Sequence, residues 1–289
     1  MTGGRPPSEG FGVTKIGIAT PAFGEIFYTP YVQSLYRLMR AFEQRKWQSS
    51  FASIAYADIA ESRNFLLTRW YDKSDATHLL FIDADMGFPA ELVLDMVDFD
   101  KPVTGAVYPK RQVDLRRIAE LSATGTPPAR AIARGHNYIL RRRRGLSVSV
   151  AQKGFMQVDG CGAGVLLIAR SAIDTMLGKM PALSDINART NSPLAANLDR
   201  LIRAFAPMRV DNALLSEDFS FCHRWKQCGG EVWVNTAHAI EHIGLHRFSG
   251  RYADLDPQPA AIQPTEVKAS RPQVTRRVKL TPVIGPSKG

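Results

Sequence analysis

His78 to Phe88 reads HLLFIDADMGF, and this stretch decides how the chain is read. Leu79, Leu80, Phe81 and Ile82 run straight into Asp83-Ala84-Asp85. An apolar run of that length, flanked by polar residues, predicts a strand buried on both faces of a sheet. The carboxylates come where the strand leaves the core. Residues i and i+2 of an extended chain point the same way, so Asp83 and Asp85 are expected to face one site. Two neighbouring carboxylates repel unless a positive group lies between them or one is protonated. A hard divalent cation carrying phosphate oxygens meets that need, because it takes oxygen ligands. The alternative is a pair of ordinary loop acids, one of them capping the next helix.

Outward from this stretch the pattern alternates. Val13 to Ala19 predicts a first strand that ends in the turn-forming Thr20-Pro21-Ala22-Phe23-Gly24. Thr29-Pro30 predicts an N-cap followed by a helix, with Val32, Leu35, Tyr36, Met39 and Phe42 at helical spacing. Ser50 to Tyr56 predicts a second strand leading to Asp58. A helix over Ile59 to Tyr71 follows, with Arg63 and Asn64 in its first turns. Pro89 opens a third helix, and Lys101 to Tyr108 is a further strand closed by Pro109-Lys110-Arg111. Strands alternating with helices predict a parallel sheet with helices on both faces. Ligands bind such sheets beyond the carboxyl ends of the strands, where Thr20, Asp58 and Asp85 fall. No Gly-x-Gly-x-x-Gly follows the first strand and no Gly-x-x-x-x-Gly-Lys-Ser/Thr occurs. Dinucleotide-dependent dehydrogenases and P-loop enzymes are thereby disfavoured.

The second half is less regular. Residues 112–153 predict an insertion or hairpin, with Tyr138 to Arg141 and Leu146 to Val150 as a strand pair and Arg141 to Arg144 as a solvated edge. Phe155 to Ile168 carries Gly160, Gly162 and Gly164 inside an apolar strand pattern. Such glycines either let a ligand approach the backbone or make a simple hairpin turn. Residues 181–213 predict a polar loop or lid with a helical segment from Leu198 to Phe205. Leu214 to Cys228 predicts a helix with Ser216 as N-cap, Glu217 and Asp218 in its first turn, and Gly229-Gly230 as its stop. Trp70 and Trp225 fall at helical spacing among apolar neighbours and are assigned to the core. Ala237 to His246 holds His238, His242 and His246.

Composition bounds the class. The chain has 289 residues, 45% of them hydrophobic, which suits a globular protein with a real core. No apolar run approaches the roughly 18 residues of a membrane span. The N-terminus lacks an apolar signal region. Cys161, Cys222 and Cys228 match no zinc spacing and are expected to be buried free thiols. These features predict a cytoplasmic protein. The net charge of +10, partly carried by the last twenty residues, favours anionic partners such as nucleotides or a membrane surface. The arginine run lacks interleaved aromatics, so nucleic acid is not expected.

Taken together, these residues resemble a nucleotide-sugar-dependent glycosyltransferase of the GT-A fold, near the large family 2 group. The resemblance covers roughly residues 13–246. It is carried by Thr20-Pro21, the Arg63-Asn64 helix, Asp83-Ala84-Asp85, Asp159 to Gly164, Ser216-Glu217-Asp218 and His242-Ile243-Gly244, in that order. The fold implied is a mostly parallel, Rossmann-like α/β sheet flanked by helices on both faces, with a small antiparallel addition. Residues 1–12 would be a flexible N-terminus. Residues 13–250 would be a single domain, with 13–110 its nucleotide half and 111–250 its donor-sugar and acceptor half. Residues 251–289 would be a Pro-rich basic tail.

The resemblance also implies roles. Thr20, Pro21, Ala22, Asp58, Arg63, Asp83 and Ala84 would bind the nucleotide of a donor, with UDP ahead of GDP. Asp85 and His242 would hold Mn²⁺ or Mg²⁺, with Asp83 acting directly or through water. Gly162, Ala163 and Gly164 would line the donor-sugar or acceptor subsite. Asp218, with Glu217 beside it, would be the base of an inverting hexosyl transfer to a glycan, lipid-linked or protein acceptor. Separately from the resemblance, the charge of the basic tail predicts contact with anionic lipid at the inner membrane face. Bland readings accompany these roles: Asp58 as a helix cap, Arg63 paired with Asp58 or Glu61, and Asp218 as a dipole-stabilising acid. His238 and His246 rival His242. The Gln/Arg-x-x-Arg-Trp motif of processive synthases is absent. The competing classes are a nucleotidyltransferase and a non-catalytic nucleotide- or nucleic-acid-binding protein.

Overall fold

Successive side chains of a strand point to opposite faces of its sheet, and the core of this protein is organised by that alternation. The computed structural model describes residues 13–143, 151–188 and 192–244. Its first half alternates as expected: β1 (Lys15–Pro21), α1 (Thr29–Gln44), β2 (Gln48–Ile54), α2 (Ile59–Lys73), β3 (His78–Ile82), β4 (Met86–Gly87), α3 (Ala90–Asp98) and β5 (Val103–Ala106). Leu80 and Ile82 of β3 join Ile16 and Ile18 of β1 in a core covered by α1 and α3. Leu79 and Phe81, one residue out of phase, join a second core beneath Leu66, Leu67 and Trp70 of α2. All four apolar residues of β3 are fully buried, as their unbroken run predicts.

The second half adds β6 (Pro109–Val113), α4 (Leu115–Ala123), α5 (Pro128–Gly135), β7 (His136–Tyr138), β8 (Leu140–Arg142) and β9 (Ala151–Gln152). Then come β10 (Phe155–Cys161), β11 (Val165–Ala169), α6 (Arg170–Lys179) and the short strands β12 (Ser184–Asp185), β13 (Leu201–Ile202), β14 (Met208–Val210) and β15 (Ala213–Leu215). Helix α7 (Glu217–Gln227), β16 (Val232–Asn235) and β17 (Glu241–His242) complete it. The main sheet has the order β2-β1-β3-β11-β5-β16-β10-β8, with β9 beside β10. Within this sheet β10 and β11 run against the other strands. Helices α6 and α7 pack on the α2 face. The expected α/β class, a mostly parallel sheet flanked by helices on both faces with antiparallel additions, is the one formed.

One local expectation, the helix over Leu198 to Phe205, fails, and the readings left open elsewhere in the second half resolve in part, each for a physical reason. The region after Tyr108 is no simple hairpin: Asp114 caps α4 by accepting from the Arg117 N–H at 2.9 Å, and Pro128 opens α5. Leu140–Arg142 pairs with β10, and its expected partner around 146–150 lies outside the described residues. The glycines 162 and 164 make no hairpin, because β10 and β11 pair with different strands. Leu198 to Phe205 is not helical. There the Ile202 N–H donates to Thr68 Oγ1 and the Phe205 N–H to Asn64 Oδ1, both at 2.8 Å. The apolar spacing of that segment records its wrapping over α2, where Leu198 and Leu201 pack with Ala188 and Ala195. Arg203 also bridges Glu61 of α2 and Asp185.

The described residues form one compact unit; residues 1–12, His246 and the tail lie outside the described residues. Cys161, Cys222 and Cys228 are buried free thiols, as expected. Among the described residues no helix is long and apolar enough to cross a membrane.

Thr68→Val keeps the shape of a buried side chain but leaves the Ile202 N–H without its acceptor. We expect a loss of about 1–3 kcal/mol in urea unfolding, with Thr68→Ser close to wild type. Equal midpoints for Val and wild type would show that the bond does not hold this segment.

Candidate functional site

The carboxyl ends of β1, β2 and β3 border a cleft of about 540 Å³. Pro21, the last residue of β1, and Ala22 line it, with Tyr56 and Ala57 after β2, and Asp83, Ala84 and Asp85 after β3. Glu217 and Asp218 enter from the first turn of α7, and His242 from β17. Residues distant in sequence therefore meet at the edge where open α/β sheets bind ligands.

The acidic pair is not extended. The Met86 N–H donates to the Asp83 carbonyl at 3.1 Å, closing a turn, and the two carboxylates take different partners. Arg63 donates through its NH2 group to Asp83 Oδ1 at 2.8 Å and Oδ2 at 3.1 Å. It also donates to the Ala163 carbonyl at 3.3 Å, and its Nε lies 3.7 Å from Glu217 Oε1. Arg63 is only 2% exposed and stands over the Phe81 ring at 5.4 Å. Its partner is thus neither Asp58 nor Glu61. Asp85 Oδ2 faces Arg111 NH1 at 3.2 Å and His242 Nε2 at 3.4 Å.

His242 reaches Asp85 because β17 pairs with β4, setting His242 opposite Met86, and the Ile243 N–H donates to the Asp85 carbonyl at 2.8 Å. In its neutral form His242 donates its Nδ1 hydrogen to the Pro109 carbonyl at 2.8 Å, which leaves the Nε2 lone pair toward Asp85. A carboxylate oxygen and an imidazole nitrogen at that separation suit a shared cation. Among the described residues no group of three or more His, Cys, Asp or Glu is gathered as a metal site. Both Asp83 oxygens are committed to Arg63, so a cation here would take two protein ligands and draw the rest from phosphate and water. His238 is paired with Asp95 instead, at 2.8 Å, and does not line the cleft.

The remaining expected residues divide. Thr20 is fully buried and does not line the cleft, with its hydroxyl 2.6 Å from that of Tyr31. Asp58 caps α2, accepting from the Glu61 N–H at 3.0 Å. Gly162, Ala163 and Gly164 are buried and do not line the cleft. Their glycines answer to Tyr108: a Cβ would lie 2.2 Å from its hydroxyl at Gly162 and 2.7 Å at Gly164. That hydroxyl accepts from the Gly164 N–H at 2.9 Å. Ser216 holds the N-cap position but gives its hydroxyl to Asp218 Oδ1, which also accepts from the Phe219 N–H at 2.7 Å. Sequence reasoning missed Tyr108 and Arg111 as cleft residues, since both read only as the close of a strand.

The cleft is acidic. Four carboxylates (Asp83, Asp85, Glu217, Asp218) face two arginines (Arg63, Arg111), leaving a formal −2 with His242 neutral. Burial first, then the Asp218 charge, raises the Glu217 pKa against the pull of Arg63. Burial likewise raises Asp83, with Arg63 opposing and Asp85 adding to the rise. For His242, burial alone would lower the pKa, but the Asp85 pair and the Pro109 bond together raise it.

No protein-family model matches the chain, and no curated protein matches it in sequence. Solved structures to which the chain is similar include A197 from STIV, 14% identical over 80% of this chain and 86% of that chain, with a TM-score of 0.42. A mutant Drosophila beta-1,4-galactosyltransferase 7 in complex with manganese, UDP-Gal and xylobiose is 13% identical over 87% of this chain and 78% of that chain, with a TM-score of 0.37. GalNAc-T7 with UDP, GalNAc and Mn²⁺ is 9% identical over 80% of this chain and 44% of that chain, with a TM-score of 0.42. At such scores the functional reading rests on the geometry of the cleft itself.

Arg63→Leu strips a buried counter-charge from Asp83 and Glu217. It should cost about 3–5 kcal/mol in denaturant unfolding, and a surface-like cost of a few tenths would contradict the buried pairing. A raised His242 pKa means the protonated ring stabilises the fold fully below the ordinary value of about 6.5, and the contribution is lost as pH rises through the folded-state value. NMR titration should place His242 above the ordinary range, and Asp85→Asn should lower it. A midpoint indifferent to Asp85 would dissolve the pair.

Proposed function

We propose that the cleft is the donor site of a metal-dependent glycosyltransferase that uses a nucleoside-diphosphate sugar, UDP before GDP. The observation that carries this reading is the meeting of Asp85 Oδ2 and His242 Nε2 at 3.4 Å, at the carboxyl edge of the parallel strands. An acidic cleft repels a diphosphate, so the donor needs a cation to enter it. When bound to Asp85 and His242, a divalent ion would supply that charge and act as a Lewis acid for the leaving diphosphate.

The chain's own residues do the rest. Pro21, Ala22, Tyr56 and Ala57 offer backbone and ring surface for the nucleoside at the ends of β1 and β2. Arg63 fixes the Asp83 carboxylate, leaving it at the cleft wall within reach of a ribose hydroxyl. The described hydrogen bonds of Asp218 fall on Oδ1, which orients the group and leaves Oδ2 for an acceptor hydroxyl. Asp218 would take that proton as the hydroxyl attacks the anomeric carbon, an inverting outcome. Glu217, with its raised pKa, lies beside it against Arg63.

Thermal unfolding with UDP- and GDP-sugars, with and without Mn²⁺, tests the reading. Stabilisation should require both nucleotide and metal and should vanish in Asp85→Ala. Asp218→Asn should keep donor affinity and lose transfer by about 10²–10⁴-fold, the ordinary worth of a general base. Nucleotide binding that needs neither metal nor Asp85 would sink the metal bridge, and transfer that survives in Asp218→Asn would remove the base.

A further inference from the structure

We infer that Arg111 is a built-in counter-cation of Asp85 that excludes a divalent ion from the empty cleft and moves onto the donor's diphosphate when the donor arrives. The inference rests on the donor reading above and adds an order of events to it. Arg111 NH1 lies 3.2 Å from the same Asp85 oxygen that faces His242 Nε2. A divalent ion held by that oxygen and that nitrogen would stand within a few ångströms of the guanidinium, where like charges repel strongly. Cation and Arg111 therefore compete for one carboxylate oxygen.

The structure makes Arg111 easy to move. Its side chain is 54% exposed against 17% for Asp85, so water solvates the guanidinium and it loses little by leaving the carboxylate. It stands on β6, whose register with β7 shifts between Pro109 and Val113. Such irregularities re-aim side chains beside active sites. Its aliphatic stem passes over Gly244, where a Cβ would lie 2.5 Å from Arg111 Cδ. The two ends of His242-Ile243-Gly244 thus serve one carboxylate: the histidine faces it, and the glycine makes room for the arginine that covers it. Arg111 also lines the cleft, so a diphosphate entering there meets a guanidinium whose fork matches phosphate oxygens. Drawing Arg111 onto the diphosphate frees Asp85. Nucleotide and metal then strengthen each other's binding, and by linkage the effect is reciprocal.

The test titrates Mn²⁺ alone, by the electron paramagnetic resonance of the free ion, into wild type, Arg111→Gln and Gly244→Ala. Gly244→Ala keeps the guanidinium but crowds its stem away from Asp85. Both variants should bind Mn²⁺ at least about fivefold more tightly than wild type, the lower end of ordinary site coupling. The gain should disappear in Arg111→Gln/Asp85→Asn. UDP should raise the Mn²⁺ affinity of wild type and raise that of Arg111→Gln much less. Arg111→Lys, which keeps the charge without the fork, should still resist Mn²⁺ alone. Mn²⁺ affinity unchanged in Arg111→Gln and Gly244→Ala, including no binding to any of them, overturns the inference. Absence of any UDP effect in every protein overturns the donor reading and the diphosphate half of the inference. The competition at Asp85 is then judged on the metal-only titrations.

Discussion

One buried guanidinium holds the cleft together. Arg63, from the second turn of α2, binds both oxygens of Asp83 at the end of β3 and the Ala163 carbonyl between β10 and β11, and it stands beside Glu217 at the start of α7. Four segments distant in sequence thus share one charge. Burying an arginine is costly unless its partners are charged and well placed, and removing a partner leaves an uncompensated charge in the core. Two acids of the cleft, Asp83 and Glu217, are therefore tied to one buried group. The Arg63 Nε, buried and without a hydrogen-bond partner among the described residues, marks the side from which Glu217 approaches.

The second constraint is electrostatic. Asp85 is shared between Arg111 and His242, while Asp83 belongs to Arg63. The acidic pair that looks symmetrical in sequence is divided: one carboxylate is bound to a buried arginine, the other faces an exposed arginine and a histidine. A cleft with more carboxylates than fixed cations suits a ligand that brings a positive charge with it or recruits one. Burial first, and the neighbouring carboxylates after it, push Glu217 and Asp83 upward against the pull of Arg63.

Short antiparallel additions convert the sheet edge into a site. Pairing of β17 with β4 sets His242 against Asp85, and the Pro109 carbonyl at the start of β6 orients the ring. Tyr108 fills the space that Gly162 and Gly164 leave and closes the floor of the cleft. The glycines that looked like room for a ligand are room for a tyrosine. Small residues in a strand signal a close approach, but the signal does not say what approaches.

The apolar run of β3, the Pro-opened and acid-capped helices, and the strand–helix alternation of the first hundred residues are local properties, and they were enough to place α1, α2, α3 and the two-faced sheet. The acidic ends of strands and of α7 were legible for the same reason: strand ends and helix first turns are written in neighbouring residues. Pairings between distant segments were not. Arg63 with Asp83, His242 and Arg111 with Asp85, and Thr68 with the backbone of Ile202 depend on where the chain returns, and side-chain type alone leaves many partners open. Leu198 to Phe205 shows the cost of that ignorance, since its helical spacing reflects packing across α2. Sequence alone therefore determined the elements and the chemical inventory of the cleft; only tertiary structure decided which charge answers which, because that choice is made by distance and burial.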